Sequence, residues 1–208
     1  VMNKVSIALH LKRRYKDADI ERKIIIRAKL GRLYANIYNP KQARESLLEA
    51  INLANEYGKT EFLPYIYSFA GEVEKDFGTI SEAIQFYEKA IFEGKKPENE
   101  YCEIVLESIM DIGACLAENG DLISANISYD EALYFAQLHS LDTYIYSIAQ
   151  ELVVISEQLE LYDEVKKYKL IMSEYEKYSK QQIYISDEVS EMAYFDKYGY
   201  FISVMETY

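Results

Sequence analysis

Few side chains in this 208-residue chain are of the types that carry nucleophilic or acid–base chemistry near neutral pH. His10 and His139 are the only histidines, and neither has a carboxylate or cysteine partner at motif spacing. A lone histidine on a helix is more often a packing or surface residue than a base. Cys102 and Cys115 stand thirteen apart with no Cys-x-x-C, which fits a buried reduced pair rather than a disulfide or a metal site. Glu72 and Asp76 lie at i, i+4, so they share one face of a helix. An acid/base pair is one use of that spacing, but a ligand-facing acidic patch or a solvated face fits better. Asn126-Ile127-Ser128 matches the glycosylation acceptor inside a helical stretch and is read as chance. There is no phosphate-binding glycine loop, no His-Glu-x-x-His and no Gly-x-Ser-x-Gly. The expectation is a protein that is not an enzyme, with no catalytic residue, metal or cofactor.

The elements around these residues announce themselves by repetition. Gly31, Gly71 and Gly113 are each followed twelve residues later by an alanine: Ala43, Ala83 and Ala125. At +4 and +7 from each alanine come a large residue and a second alanine: Leu47 and Ala50, Tyr87 and Ala90, Tyr129 and Ala132. The copies are spaced by 40 and then 42 residues, and a weaker fourth copy puts Val153 and Val165 in the glycine and first alanine slots. Self-similarity at such a period marks a repeat array. Small residues facing each other let two helices of a hairpin approach closely, and the bulky positions are expected to fill the seam between one hairpin and the next.

Punctuation supports helical hairpins. Asn39-Pro40-Lys41-Gln42 offers an N-cap with proline at the first helical position. Thr79-Ile80-Ser81-Glu82 is a capping box, and Asp121 follows Gly120 as a cap after a C′ glycine. Gly58, Gly94 and Pro97 close second helices, while Asp142 or Thr143 and Ser186 open later first helices. About ten helices are predicted and no strand, because no window alternates with period two. Half the residues are apolar, with eight glycines and three prolines, which excludes a disordered chain. No apolar run reaches 18 residues and no signal-peptide pattern opens the sequence, so a soluble, cytoplasmic protein without membrane contact is expected. The 21 tyrosines take the aromatic packing slots, where the hydroxyl can reach the surface.

On these residues the chain resembles the tetratricopeptide repeat (TPR) family. The second copy reads Tyr67, Ala70-Gly71, Ala83, Tyr87, Ala90; the third reads Ile109, Ile112-Gly113, Leu116, Gly120, Leu122, Ala125, Tyr129, Ala132. The unit departs from the family's common 34 residues by about two helical turns and lacks the usual proline after the second helix. The resemblance implies an all-α, right-handed superhelical solenoid of antiparallel helix hairpins, with about 40–42 residues per repeat. One array is expected over 1–208: a remnant helix of a preceding unit at 1–23, repeats at 24–63, 64–105, 106–145 and 146–185, and a C-terminal helix at 186–208.

The same resemblance implies that the first helix of each repeat lines a groove. The groove residues expected are Arg32, Asn36, Tyr65, Ser68, Glu72, Asp76, Met110, Ser147, Gln150 and Glu157. Small residues alternate there with aromatic and charged ones, which suits a length of extended peptide. The wall is net negative, so a peptide with a basic residue or a free amino terminus is the expected ligand.

Residues 1–32 hold ten basic side chains against Asp17, Asp19 and Glu21, a net of +7, while 33–208 carry −19. A nucleic-acid reader built from the acidic remainder is excluded by its charge. The basic end reads as a solvated helix face, or else as a contact to nucleic acid or to an acidic domain. Met192, Tyr194, Phe195, Tyr198 and Phe201 are apolar nearly all round a helix. Tyr194, Phe195, Tyr198 and Phe201 are therefore expected to form an oligomer interface, in a homodimer.

The lengthened unit also resembles the repeat domain of cytosolic peptide-pheromone receptors of Gram-positive bacteria, in which a short imported peptide controls an N-terminal DNA-binding or effector domain. That resemblance implies the ligand-sensing and oligomerising part of a transcriptional regulator, with DNA engaged only through a domain N-terminal to Val1. The competing expectation is a constitutive protein–protein scaffold with no switching role. A helix-turn-helix upstream of Val1 would separate the two.

Overall fold

The computed structural model describes residues 4–16, 18–97 and 101–182. Among them run nine α-helices: α1 (Lys4–Tyr15), α2 (Ile20–Asn36), α3 (Pro40–Glu56), α4 (Leu63–Phe77), α5 (Ile80–Gly94), α6 (Cys102–Glu118), α7 (Leu122–Leu138), α8 (Asp142–Gln158) and α9 (Tyr162–Gln182). A single 3₁₀ turn at Thr60–Phe62 precedes α4. The predicted all-α class is what the chain adopts. The first helices begin at 20, 63, 102 and 142, up to four residues ahead of the repeat starts set by the spacing. For α2 the reason is a cap the pattern passed over: the Asp19 carboxylate accepts from the Arg22 amide at 2.9 Å.

Two compact units divide the chain, residues 1–135 and 136–208. In the first, α2 packs on α3 and α4 on α5 as hairpins, and α2, α4 and α6 lie beside one another as successive first helices. In the second, α8 packs on α9.

Each glycine of the repeat sits under one large side chain of its own hairpin. A methyl group built on Gly31 would lie 2.5 Å from Leu47, one on Gly71 2.6 Å from the Tyr87 ring, and one on Gly113 2.8 Å from the Tyr129 ring. So the large residue sixteen positions on fills the gap the glycine leaves within the hairpin. The expected place of the bulky residue is the seam between hairpins, and to this the structure adds the gap over the glycine. Tyr87 does both, since it also packs with Ala83 and with Cys115 of α6. Gly94 is a further close approach, 2.6 Å from Val105 by the same construction.

The turns share one closure. After α2, α3, α6, α7 and α8 a residue takes left-handed backbone: Tyr38, Gly58, Gly120, Ser140 and Glu160, with φ between 55° and 82°. The next amide then reaches back five residues, as Asn39 N to Tyr34 O, Lys59 to Ala54, Asp121 to Leu116, Leu141 to Ala136 and Leu161 to Ser156, at 2.7–2.9 Å. This hydrogen bond satisfies a carbonyl that the helix end leaves open. The α4–α5 turn is built differently. Arg44 of α3 makes a two-pronged contact to Glu74, at 2.8 and 2.7 Å, and donates to the Phe77 carbonyl at 3.2 Å. Gly78 lets the Glu74 carboxylate fold over the turn, because any Cβ there would stand 2.1 Å from it. The caps read from sequence are in place. Asn39 accepts from Gln42 N, the Thr79 hydroxyl accepts from Glu82 N and donates to the Glu82 carboxylate in place of the backbone half of a capping box, and Asp121 accepts from Ser124 N.

Part of the basic N-terminal charge is tied into packing. Arg27 stacks 4.3 Å over the Tyr15 ring and pairs with Glu49 at 2.8 Å, and the Tyr15 hydroxyl donates to the same Glu49 at 2.6 Å. Lys59 pairs with Glu21, and Arg22 with Asp19. Lys12, Arg13 and Arg14 fill the last turn of α1, where cations oppose the helix dipole.

Candidate functional site

The first helices of the first unit carry a row of polar and aromatic side chains joined from helix to helix. Arg32 of α2 reaches Glu72 of α4 at 3.4 Å while its guanidinium lies 4.5 Å over the Phe69 ring. Lys75 of α4 reaches Glu118 of α6 at 3.0 Å. Tyr65 of α4 meets the ring of Tyr101, just ahead of α6, edge-on at 5.3 Å. These contacts explain why the row stays polar in a chain that buries so much apolar surface. Arg32 and Lys75 each have an opposite charge one helix away, near enough to limit the desolvation penalty.

The sequence-predicted residues are distributed as follows. Arg32, Tyr65, Glu72 and Met110 are half-buried on α2, α4 and α6, and Arg32 and Glu72 are in contact. Asn36 and Asp76 are exposed, at or near the ends of α2 and α4. Ser68 is 3% exposed, so it belongs to the packed interior rather than to a surface a ligand reaches; a serine is small enough to be covered between helices. Ser147, Gln150 and Glu157 lie on α8 of the second unit. There Ser147 donates to the Tyr144 carbonyl at 2.9 Å, Gln150 is exposed, and Glu157 pairs with Lys169 at 2.8 Å. Tyr194, Phe195, Tyr198 and Phe201 fall outside the described residues.

Asp111, which spacing passed over, completes the row together with Lys75 and the repeat's own Tyr87. Asp111 of α6 is burdened by burial and then by the Glu72 charge, only partly offset by Lys75, and its carboxyl is pushed up to about 7. Burial would lower the Lys75 ammonium, but the hydrogen bond and charge of Glu118 outweigh it and raise it. Beneath them lies Tyr87 of α5, with no solvent exposure and a hydroxyl that has no hydrogen-bond partner. Burial, and then the Asp111 charge ahead of Glu72, Cys115 and Asp76, drives its phenol far above the usual range. One signal in the sequence pointed to Asp111: it is an acid inside the apolar run Ile109-Met110-Asp111-Ile112.

The arrangement brings together charged, hydrogen-bonding and aromatic groups. Cys115 is fully buried and its thiol is raised by burial, which disfavours the reactive thiolate. Among the described residues no three His, Cys, Asp or Glu side chains come together as a metal site would require. Among the same residues no helix is long and apolar enough to cross a membrane.

Solved structures share this architecture. Aspartyl phosphate phosphatase F from Bacillus subtilis matches with a TM-score of 0.74 at 14% identity, over 87% of this chain and 47% of that one. A signal-transduction ATPase with a tetratricopeptide repeat sensor, from Pyrococcus horikoshii, matches at 0.74 and 18% identity, over 86% of this chain and 28% of that one. A Rap protein complexed with Competence and Sporulation Factor matches at 0.67 and 14%, over 88% and 52%. The chain thus has the TPR-like helical-repeat solenoid fold and spans about half, or less, of these proteins. No protein-family model and no curated protein matches it.

Proposed function

We propose that this chain is a peptide-binding repeat domain, the ligand-sensing part of a peptide-controlled regulator. The observation that carries the reading is the half-buried row of Arg32, Tyr65, Glu72 and Asp111 on three adjacent first helices. It offers aromatic surface, hydrogen-bonding groups and unequal charge along a line, which is what an extended backbone with alternating side chains requires. The likeness to a Rap protein solved with a bound peptide factor supports this reading. The likeness to a sensor domain of a larger signalling protein supports it too. In this reading the chain binds rather than transforms its ligand, acts in the cytoplasm, and engages DNA only through a neighbouring domain. Tyr194, Phe195, Tyr198 and Phe201 would join two copies, and charge substitutions at Phe195 and Phe201 should dissociate a dimer in sedimentation.

Calorimetry with degenerate pentapeptide pools tests the function. Binding should be strongest for pools with a positive charge and should weaken as salt rises from low to moderate, because exposed charges are screened within about 10 Å at 0.1 M. Exchanging Glu72 and Asp76 for Gln and Asn should weaken that binding with the helical circular dichroism unchanged. Absence of binding by every pool would refute the reading. A preference for acidic pools would refute the charge assignment.

A further inference from the structure

The row of first helices holds an uneven set of charges. Arg32 is taken up by Glu72 and Lys75 by Glu118. Asp76 is exposed to solvent, so among the half-buried carboxyls that leaves Asp111, which makes no hydrogen bond or ion pair to any described residue and whose carboxyl is raised by the Glu72 charge on α4. An acidic cluster is often nothing more than a solvated surface, and Tyr87 is what separates this one from that. Its ring is held over Gly71, the residue before Glu72, and packs against Cys115, one turn on from Asp111; its hydroxyl is wholly shielded from solvent, has no partner, and feels the charge of Asp111 ahead of that of Glu72. Buried hydroxyls are nearly always hydrogen-bonded, and the ring alone would fill the packing slot, so the polar atom is unexplained by the fold. The carboxylates of Asp111 and Glu72 and the phenolic oxygen can all accept hydrogen bonds from an ammonium or guanidinium.

Resting on the peptide-binding reading, we propose that Asp111 and Glu72, above the Tyr87 hydroxyl, form the receptor for the ligand's positively charged group, an amino terminus or a basic side chain. A cation placed there completes the counter-charge that Lys75 supplies to Asp111 only in part, and gives the Tyr87 hydroxyl a donor, or turns it toward the now ionised Asp111. Because the Asp111 carboxyl titrates near neutrality in the free protein, seating a cation also expels its proton. Burial sets that titration first, then Glu72, with Lys75 opposing, both from α4; Asp111 in turn raises Tyr87 of α5 and Cys115 of its own helix.

The test uses the 208-residue chain and three pentapeptide pools matched at all other positions. One is acetylated at the amino terminus and carries a fixed arginine; the second is acetylated with citrulline in its place; the third has citrulline and a free amino terminus. The inference expects one charged pool to bind at least tenfold more tightly than the acetylated citrulline pool, and which one it is identifies the source of the charge. Calorimetry at pH 7 in two buffers of different ionisation enthalpy should show net proton release on binding. Asp111→Asn should abolish that release and bring the pools within about twofold. Tyr87→Phe should also narrow the difference, while leaving the unliganded protein at least as resistant to urea. If all pools bind alike, or if Asp111→Asn discriminates as the parent protein does, the receptor is refuted and the groove stands. If no pool binds, the groove falls with it.

Discussion

Replacing Gly71 by alanine adds a single methyl group, and the structure fixes where it goes. Its carbon would lie 2.6, 2.7 and 2.8 Å from three atoms of the Tyr87 ring, against ordinary contact at 3.4–4 Å. The ring has no exposure and cannot swing outward, so ring or helix must shift by most of an ångström. Overpacking of this kind costs about 1–3 kcal/mol. Alanine in a helix interior returns about 0.5–1 kcal/mol over glycine. The net is a loss of about 1–2 kcal/mol, and for a chain of this size each kcal/mol lowers the melting temperature by roughly 2–4 °C. Urea unfolding followed by circular dichroism reads it directly, with exposed Gln85→Ala as the control, which should fall within about 0.5 kcal/mol of the parent. In a Tyr87→Val background the clash is gone, so Gly71→Ala should turn neutral or stabilising. A Gly71→Ala protein as stable as the parent, or more so, would mean that the glycine is not there to admit the ring. The account of all three repeats would fall with it.

Three further outcomes follow from the same geometry. Arg44→Met should destabilise by about 1–3 kcal/mol in urea unfolding, because it strands the Glu74 carboxylate at 8% exposure and uncovers the Phe77 carbonyl. Glu160→Gly should raise the melting temperature, gaining about 1 kcal/mol, because residue 160 holds φ at 59° where glycine has no Cβ to strain. Asp111 carries a folded-state carboxyl near 7 against 3.8 unfolded, so between about pH 4 and 7 the native state binds more protons; stability should fall across that window as pH rises, then level off, and Asp111→Asn should flatten the slope and be the more stable protein at pH 8.

How much of this was legible from sequence depends on what each residue's type records. The repeat was legible because a glycine or alanine between two helices is a steric fact, and sterics recur at fixed spacing. Even the glycine's partner was written there, since Leu47, Tyr87 and Tyr129 each stand sixteen positions after it. The left-handed turn residues were legible only at Gly58 and Gly120. Tyr38, Ser140 and Glu160 hold the same backbone without the residue type that advertises it, because the hydrogen bond to the helix end holds the turn. Ser68 was misplaced since a small polar residue suits a groove and a covered helix seam equally well.

The site was least legible where one side chain has two functions. Position 87 is a packing slot, and any large ring over Gly71 satisfies the pattern; nothing in the spacing separates a phenol from a phenyl group. Yet the two differ sharply in this setting. A phenylalanine would fill the same volume with no buried polar atom, whereas the tyrosine leaves a hydroxyl unpaired in the protein alone, a penalty of about 1–3 kcal/mol. Packing accounts for the ring and for Gly71 beneath it, but not for the oxygen. The oxygen feels most strongly the charge of Asp111, a half-buried carboxyl that Lys75 offsets only in part, and a bound cation is what would satisfy both.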